Sequence, residues 1–308
     1  MPFIKWFLGS QKCDPAYYEA VLPKIYDRLP KEPPADGMRP QSLELSGFYQ
    51  YPISPRLVEI ETVAFAENYG EPFALTSGMA MKAYRDDWLR THRTEGRPLS
   101  PRDADPFVLE TEFAGSETER VFMKGGYTMR VEESPGKPKG IPFCVNKYIA
   151  DERVDIDATT GEFLFNCADR PRTLDELSEY AIENVNMLEL LGVKVPVLSL
   201  EVQLGVKVLN FDYIYQKATD EIFSEKADTP NANRLAKDFC NTANFTRISA
   251  DSRFDRDAFR WLFEKDRIEL SMETINDYMG NRYAMPRIEP YLLDKDLKSY
   301  MDFVPSMF

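Results

Sequence analysis

The chain has 308 residues, 43% of them hydrophobic, 29% charged and 13% aromatic, with a formal net charge of −13. That length buries a core without disulfide or metal staples and admits one large domain or two ordinary ones, and the aromatic content excludes global disorder. The acidity disfavours non-specific binding to phosphate backbones, the single histidine (His92) excludes any site needing two histidines from one chain, and the four cysteines, with no Cys-x-x-Cys pair, read as reduced thiols.

An N-terminal arm and linker is expected over residues 1–44. Asp14-Pro15 is a helix start, with Tyr18, Val21, Leu22 and Ile25 at helical spacing and Pro23 as a break. Pro30, Pro33, Pro34 and Pro40 make the rest an extended connector. Two helices follow. Ser54-Pro55 opens the first, with Leu57, Ile60, Val63 and Ala64 on one face and Gly70 as the stop; Thr76 or Ser77 opens the second, with Met81, Tyr84 and Trp88 on one face.

The middle of the chain reads as β. Phe107–Phe113 alternates, and Arg120–Lys124 and Tyr127–Glu133 flank Gly125-Gly126, a two-residue hairpin turn. Ile141–Ile149 is a further apolar run, and Val154–Asp157 and Glu162–Phe165 flank a second turn ending at Gly161. A long helix is expected over Leu174–Leu191, with a Thr173/Glu176 capping box and Gly192 as its stop. Val195–Leu204 and Val206–Tyr215 alternate around Gly205 and read as strands. Helices return at Thr229-Pro230, Asp255–Glu264 and Ser271–Met279.

The pattern predicts an α+β fold, a mainly antiparallel sheet with helices packed on it, preceded by a helical N-terminal region. Residues 45–308 are taken as one α+β domain, within which 45–100 could stand as a helical subdomain. No apolar run reaches the roughly 18 residues of a membrane span or the length of a secretory leader, so no membrane insertion and a cytoplasmic location are expected.

Catalytic signatures are absent: no phosphate-binding glycine loop, no nucleophile elbow, and no cofactor-binding motif. His92 sits among Arg90, Arg93 and Arg97, as a solvated residue would. The helix pair near the C-terminus carries Glu273 and Asp277 where a DNA-reading helix needs basic residues, so nucleic acid is not expected as a partner. Carboxylates give the strongest enzymatic lead. Asp155 and Asp157 lie two apart on a strand and so share a face, with Glu162 on the expected partner strand; three such oxygens could hold Mg or Mn. Asp-x-Asp recurs at Asp103/Asp105, Asp255/Asp257 and Asp294/Asp296, as composition alone would produce in an acidic chain.

Acidity is concentrated: Asp151 to Leu190 holds eleven carboxylates against three arginines. Glu176, Glu179 and Glu183 would present it as a docking face for other protein subunits, basic ones above all. Trp6, Phe7, Tyr17 and Tyr18 crowd the proline-broken arm, which suits packing against a neighbour or an oligomer partner. The expected function is thus a non-catalytic structural or adaptor subunit contacting partners through the aromatic arm and the acidic face. The alternative is a hydrolase or phosphoryl-transfer enzyme using a carboxylate-held divalent metal.

Overall fold

A computed structural model of the chain describes residues 14, 16–25, 55–96, 99, 101, 103–110, 114–129, 143–149, 152–165, 171–222, 230–280 and 285–308. Trp6, Phe7 and the prolines of the expected connector lie outside the described residues. The expected helix start at Asp14 is present: its carboxylate accepts the Ala16 amide at 3.0 Å, opening α1 (Ala16–Glu19), and α2 (Leu22–Ile25) follows after a break. α3 (Pro55–Asn68) and α4 (Ser77–His92) also fall where capping and periodicity put them.

Seven strands form one sheet: β1 (Phe73–Thr76), β2 (Asp103–Val108), β3 (Thr128–Met129), β4 (Phe143–Ile149), β5 (Glu152–Ala158), β6 (Val185–Leu190) and β7 (Val193–Leu198). Their order is β3-β4-β5-β2-β1-β7-β6. The pairs β3/β4, β4/β5, β1/β2 and β6/β7 are antiparallel, whereas β2/β5 and β1/β7 are parallel. The fold is α+β as expected, but the sheet is mixed rather than mainly antiparallel. The cause is local. Segments that read as strands of tight hairpins are helices, so β2 and β5 meet side by side instead of across a turn.

Three misread segments account for this. Arg120–Lys124 belongs to α5 (Glu117–Lys124), which Ser116 caps by accepting the Glu119 amide at 3.0 Å; its stripe of Thr118, Val121 and Phe122 is buried. Glu162–Phe165 is mostly α6 (Gly161–Leu164), which follows β5 directly. Beyond Leu198 the alternating pattern belongs to α8 (Leu200–Ile222), not to a strand. From Glu201 to Asp212 α8 is buried almost throughout, Gln203, Lys207 and Asp212 included, and exposure is confined to residues such as Tyr213 and Gln216 further along, so this stretch has no solvent-facing stripe to mark a 3.6-residue period.

The reverse error occurs after Thr173. The capping box is real and opens α7 (Leu174–Glu183), but the chain leaves the helix at Asn184 and turns into β6. Gly192 is not a helix stop. Leu191 (φ 52°) and Gly192 (φ 82°) form the two-residue turn that joins β6 to β7, a site where both residues need positive φ.

Helices cover both faces of the sheet. On one face α3 sends Phe65 edge-on against Phe73 of β1, their ring centroids 5.5 Å apart. Val154, Ile156 and Ala158 of β5, and Ala104 and Val108 of β2, are buried. They alternate with Asp103, Asp105, Asp155 and Asp157, so the aspartates take the opposite face. There Gln203 of α8 donates to the Leu75 carbonyl at 3.3 Å. α9 (Pro230–Asp251), α10 (Arg256–Leu262) and α11 (Lys265–Met279) pack with α8, and α9 also packs on α4. α12 (Met285–Ile288) and α13 (Leu297–Met301) complete the chain, and buried apolar residues from Tyr17 to Met307 form one continuous cluster. Among the described residues no helix is long and apolar enough to cross a membrane.

Candidate functional site

The parallel seam between β2 and β5 sets Asp103 opposite Asp155 and Ala104 opposite Ile156. Neighbours in register share a face, so two Asp-x-Asp pairs stand side by side. Asp103, Asp105 and Asp157 bring one carboxylate oxygen each to within 4.8 Å of one another, and all three are half-buried. Among the described residues the Asp103 and Asp105 carboxylates accept no hydrogen bond. Burial of the Asp105 carboxyl pushes it well above the usual carboxylate range, and Asp103 and Asp157 push the same way. Lys237 of α9 and Lys207 of α8 are close enough to pull in the opposite sense. Lys207 also lies 3.8 Å from Asp238, but Lys237 has no ion pair among the described residues.

Three like charges at this spacing repel, and the cluster is stable only with a proton, an ammonium or a metal cation among them. A cation with oxygen bonds of about 2.1 Å spans oxygens up to about 4.2 Å apart, so small side-chain rotations would bring the trio onto a Mg²⁺ or Mn²⁺ ion. The structure thus brings Asp157 together with Asp103 and Asp105, a pair that sequence pattern had set aside as composition. Asp155 is buried beside them in register, and Glu162 stands exposed on α6 outside the trio. The signal available in the sequence was the repeated Asp-x-Asp; the parallel pairing that joins its two copies was not visible.

The other expected site residues fall elsewhere. Tyr17 and Tyr18 are buried in the chain's own core, with Tyr18 donating to Glu61 at 2.5 Å. Glu176, Glu179 and Glu183 are exposed on α7, and Glu176 also closes the capping box.

A cavity of about 610 Å³ opens beside the end of α7, between α4, β6 and the end of α9. Its lining carries Asp87, Glu183, Glu201, Asp251 and Asp255 against one arginine, Arg253. His92 lines it too, stacked on Trp88 with centroids 4.1 Å apart and with Nδ1 2.8 Å from the Trp88 carbonyl. Asp251 accepts Trp88 Nε1 at 3.0 Å and Arg247 at 2.5 Å. Glu201 is buried; its Oε1 accepts the Asp255 amide at 2.7 Å, and no cation pairs with it among the described residues. Burial, then the carboxylates of Glu201 and Asp255, push the Tyr180 hydroxyl up to about 12.

Compared with known protein families and with curated proteins, the chain matches none.

Proposed function

We propose that the protein binds a divalent cation, Mg²⁺ or Mn²⁺, on Asp103, Asp105 and Asp157, and uses it in hydrolysis or phosphoryl transfer on an anionic substrate. The observation that carries this reading is the convergence of three carboxylates, two of them without hydrogen-bond donors among the described residues, across a parallel strand seam. A bound cation would relieve their repulsion and polarise a phosphoryl or carbonyl oxygen, and Lys237 and Lys207 would draw a negatively charged substrate to it. Unfolding should be followed thermally with chelator and with millimolar Mg²⁺ or Mn²⁺. Ligands of the native state raise Tm, so the metal should raise it for the natural chain. Asp105→Asn should abolish that rise and, in chelator, match or exceed the natural chain's Tm because one repelling charge is gone. No metal-dependent shift in the natural chain would remove the reading.

A second reading, an adaptor that docks a basic protein, is favoured by Glu176, Glu179 and Glu183 standing exposed on α7. Glu179 and Glu183 have no cationic partner among the described residues. Lysine at positions 176 and 179 should weaken binding of a basic peptide; unchanged binding would sink this reading.

A further inference from the structure

We infer that the cavity beside α7 receives an arginine side chain from a basic protein partner, its guanidinium pairing with Glu201. The inference rests on the docking reading of α7 and is independent of the aspartate trio. Its ground is a mismatch of charge inside a cavity. Glu201 is only 7% exposed, and among the described residues its one hydrogen bond is from a backbone amide. A buried carboxylate that keeps its charge needs a cation. The same cavity is open enough to supply one, and its remaining acids outnumber its single arginine.

The walls select guanidinium over ammonium. Tyr84 and Tyr180 line the space, and a planar delocalised cation stacks on such rings while forking onto a carboxylate. Two arginines just outside the lining already stack on rings. Arg247 lies 5.5 Å from the centre of the Trp88 ring and pairs with Asp251. Arg172 lies 5.2 Å from the centre of Trp261, whose ring packs against Tyr180. Glu183 belongs both to the exposed face of α7 and to the cavity lining, so the acidic surface runs from the helix to the opening. A partner held by that surface would deliver a side chain into the cavity.

The test is a calorimetric titration of the full chain with the peptide acetyl-Lys-Gly-Arg-Gly-Lys-amide and with its citrulline counterpart, which keeps the shape and loses the charge. The arginine peptide should bind at least tenfold more tightly than the citrulline peptide. Glu201→Gln, which retains an acceptor for the Asp255 amide, should erase that preference. Should Glu201→Gln lower Tm, Glu183→Gln at the opening serves in its place and should reduce the preference several-fold. The double change Glu176→Lys and Glu179→Lys should weaken both peptides alike. If that double change abolishes binding while Glu201→Gln leaves the arginine preference intact, the cavity inference is overturned and the docking reading stands. If neither peptide binds the natural chain, both are overturned.

Discussion

At the scale of single residues, the buried polar groups decide most. Glu61 is fully buried and accepts from Tyr18 at 2.5 Å and Tyr127 at 2.7 Å, tying α1 and the segment after α5 to α3. Glu61→Ala would remove the acceptor that two phenol hydroxyls share and open a cavity. We expect a loss of roughly 2–4 kcal/mol in urea unfolding, from about 1–3 kcal/mol for each orphaned group, and a smaller loss for Glu61→Gln. An unchanged midpoint would mean the tyrosines find other acceptors. None of this was legible beforehand, because a glutamate in an amphipathic pattern is read as solvent-facing. Arg85 escaped for the same reason: it is 1% exposed, and its Nε and Nη1 have no hydrogen-bond acceptor among the described residues. Burial lowers its pKa and pushes the nearby Cys240 thiol up to about 12, so Cys240 stays protonated at neutral pH and does not balance the charge.

At the scale of elements, what the sequence disclosed follows from where solvent touches the chain. α3, α4, α7, α9 and α10 begin with a capping residue or proline, and their starts were read correctly. α8 was not, since its Glu201–Asp212 stretch is enclosed almost throughout and its Val-x-Val spacing imitates a strand. Its packing has a direct test. A Cβ on Gly205 would come within 2.1 Å of the Phe263 ring, which lies across the helix there. Gly205→Ala gains about 1 kcal/mol of helix propensity but forces that ring aside, at about 1–3 kcal/mol for overpacking. Tm should fall, and Phe263→Leu added to it should recover part of the loss. A rise in Tm for the single change would show that the ring moves freely.

At the scale of the molecule, the α+β class and most helices were readable, and the pairing of distant strands was not. Sequence patterns carry the period of a strand but not the identity of its neighbour. The trio of Asp103, Asp105 and Asp157 exists only through that pairing. The proposed docking surface was half readable: the glutamates of α7 were named from the sequence, whereas the buried Glu201 and the cavity wall come from helices and strands that meet in space.

The parallel seam of β1 and β7 has a consequence in time. It joins Leu75 to Val197, while the β6 and β7 hairpin closes between Leu190 and Val193. Long closures lower folding rates, because their entropy is lost before their contacts form. The hairpins are therefore expected to assemble early and the seam to lock late. Val197→Ala should speed unfolding and leave the refolding rate nearly unchanged in stopped-flow chevrons, whereas slowed refolding would place the seam in the nucleus. Until that seam locks, Asp103 and Asp105 on β2 and Lys207 on α8 belong to halves of the chain that have not yet met, so the carboxylates of β2 and β5 would come together before the lysine that faces them arrives.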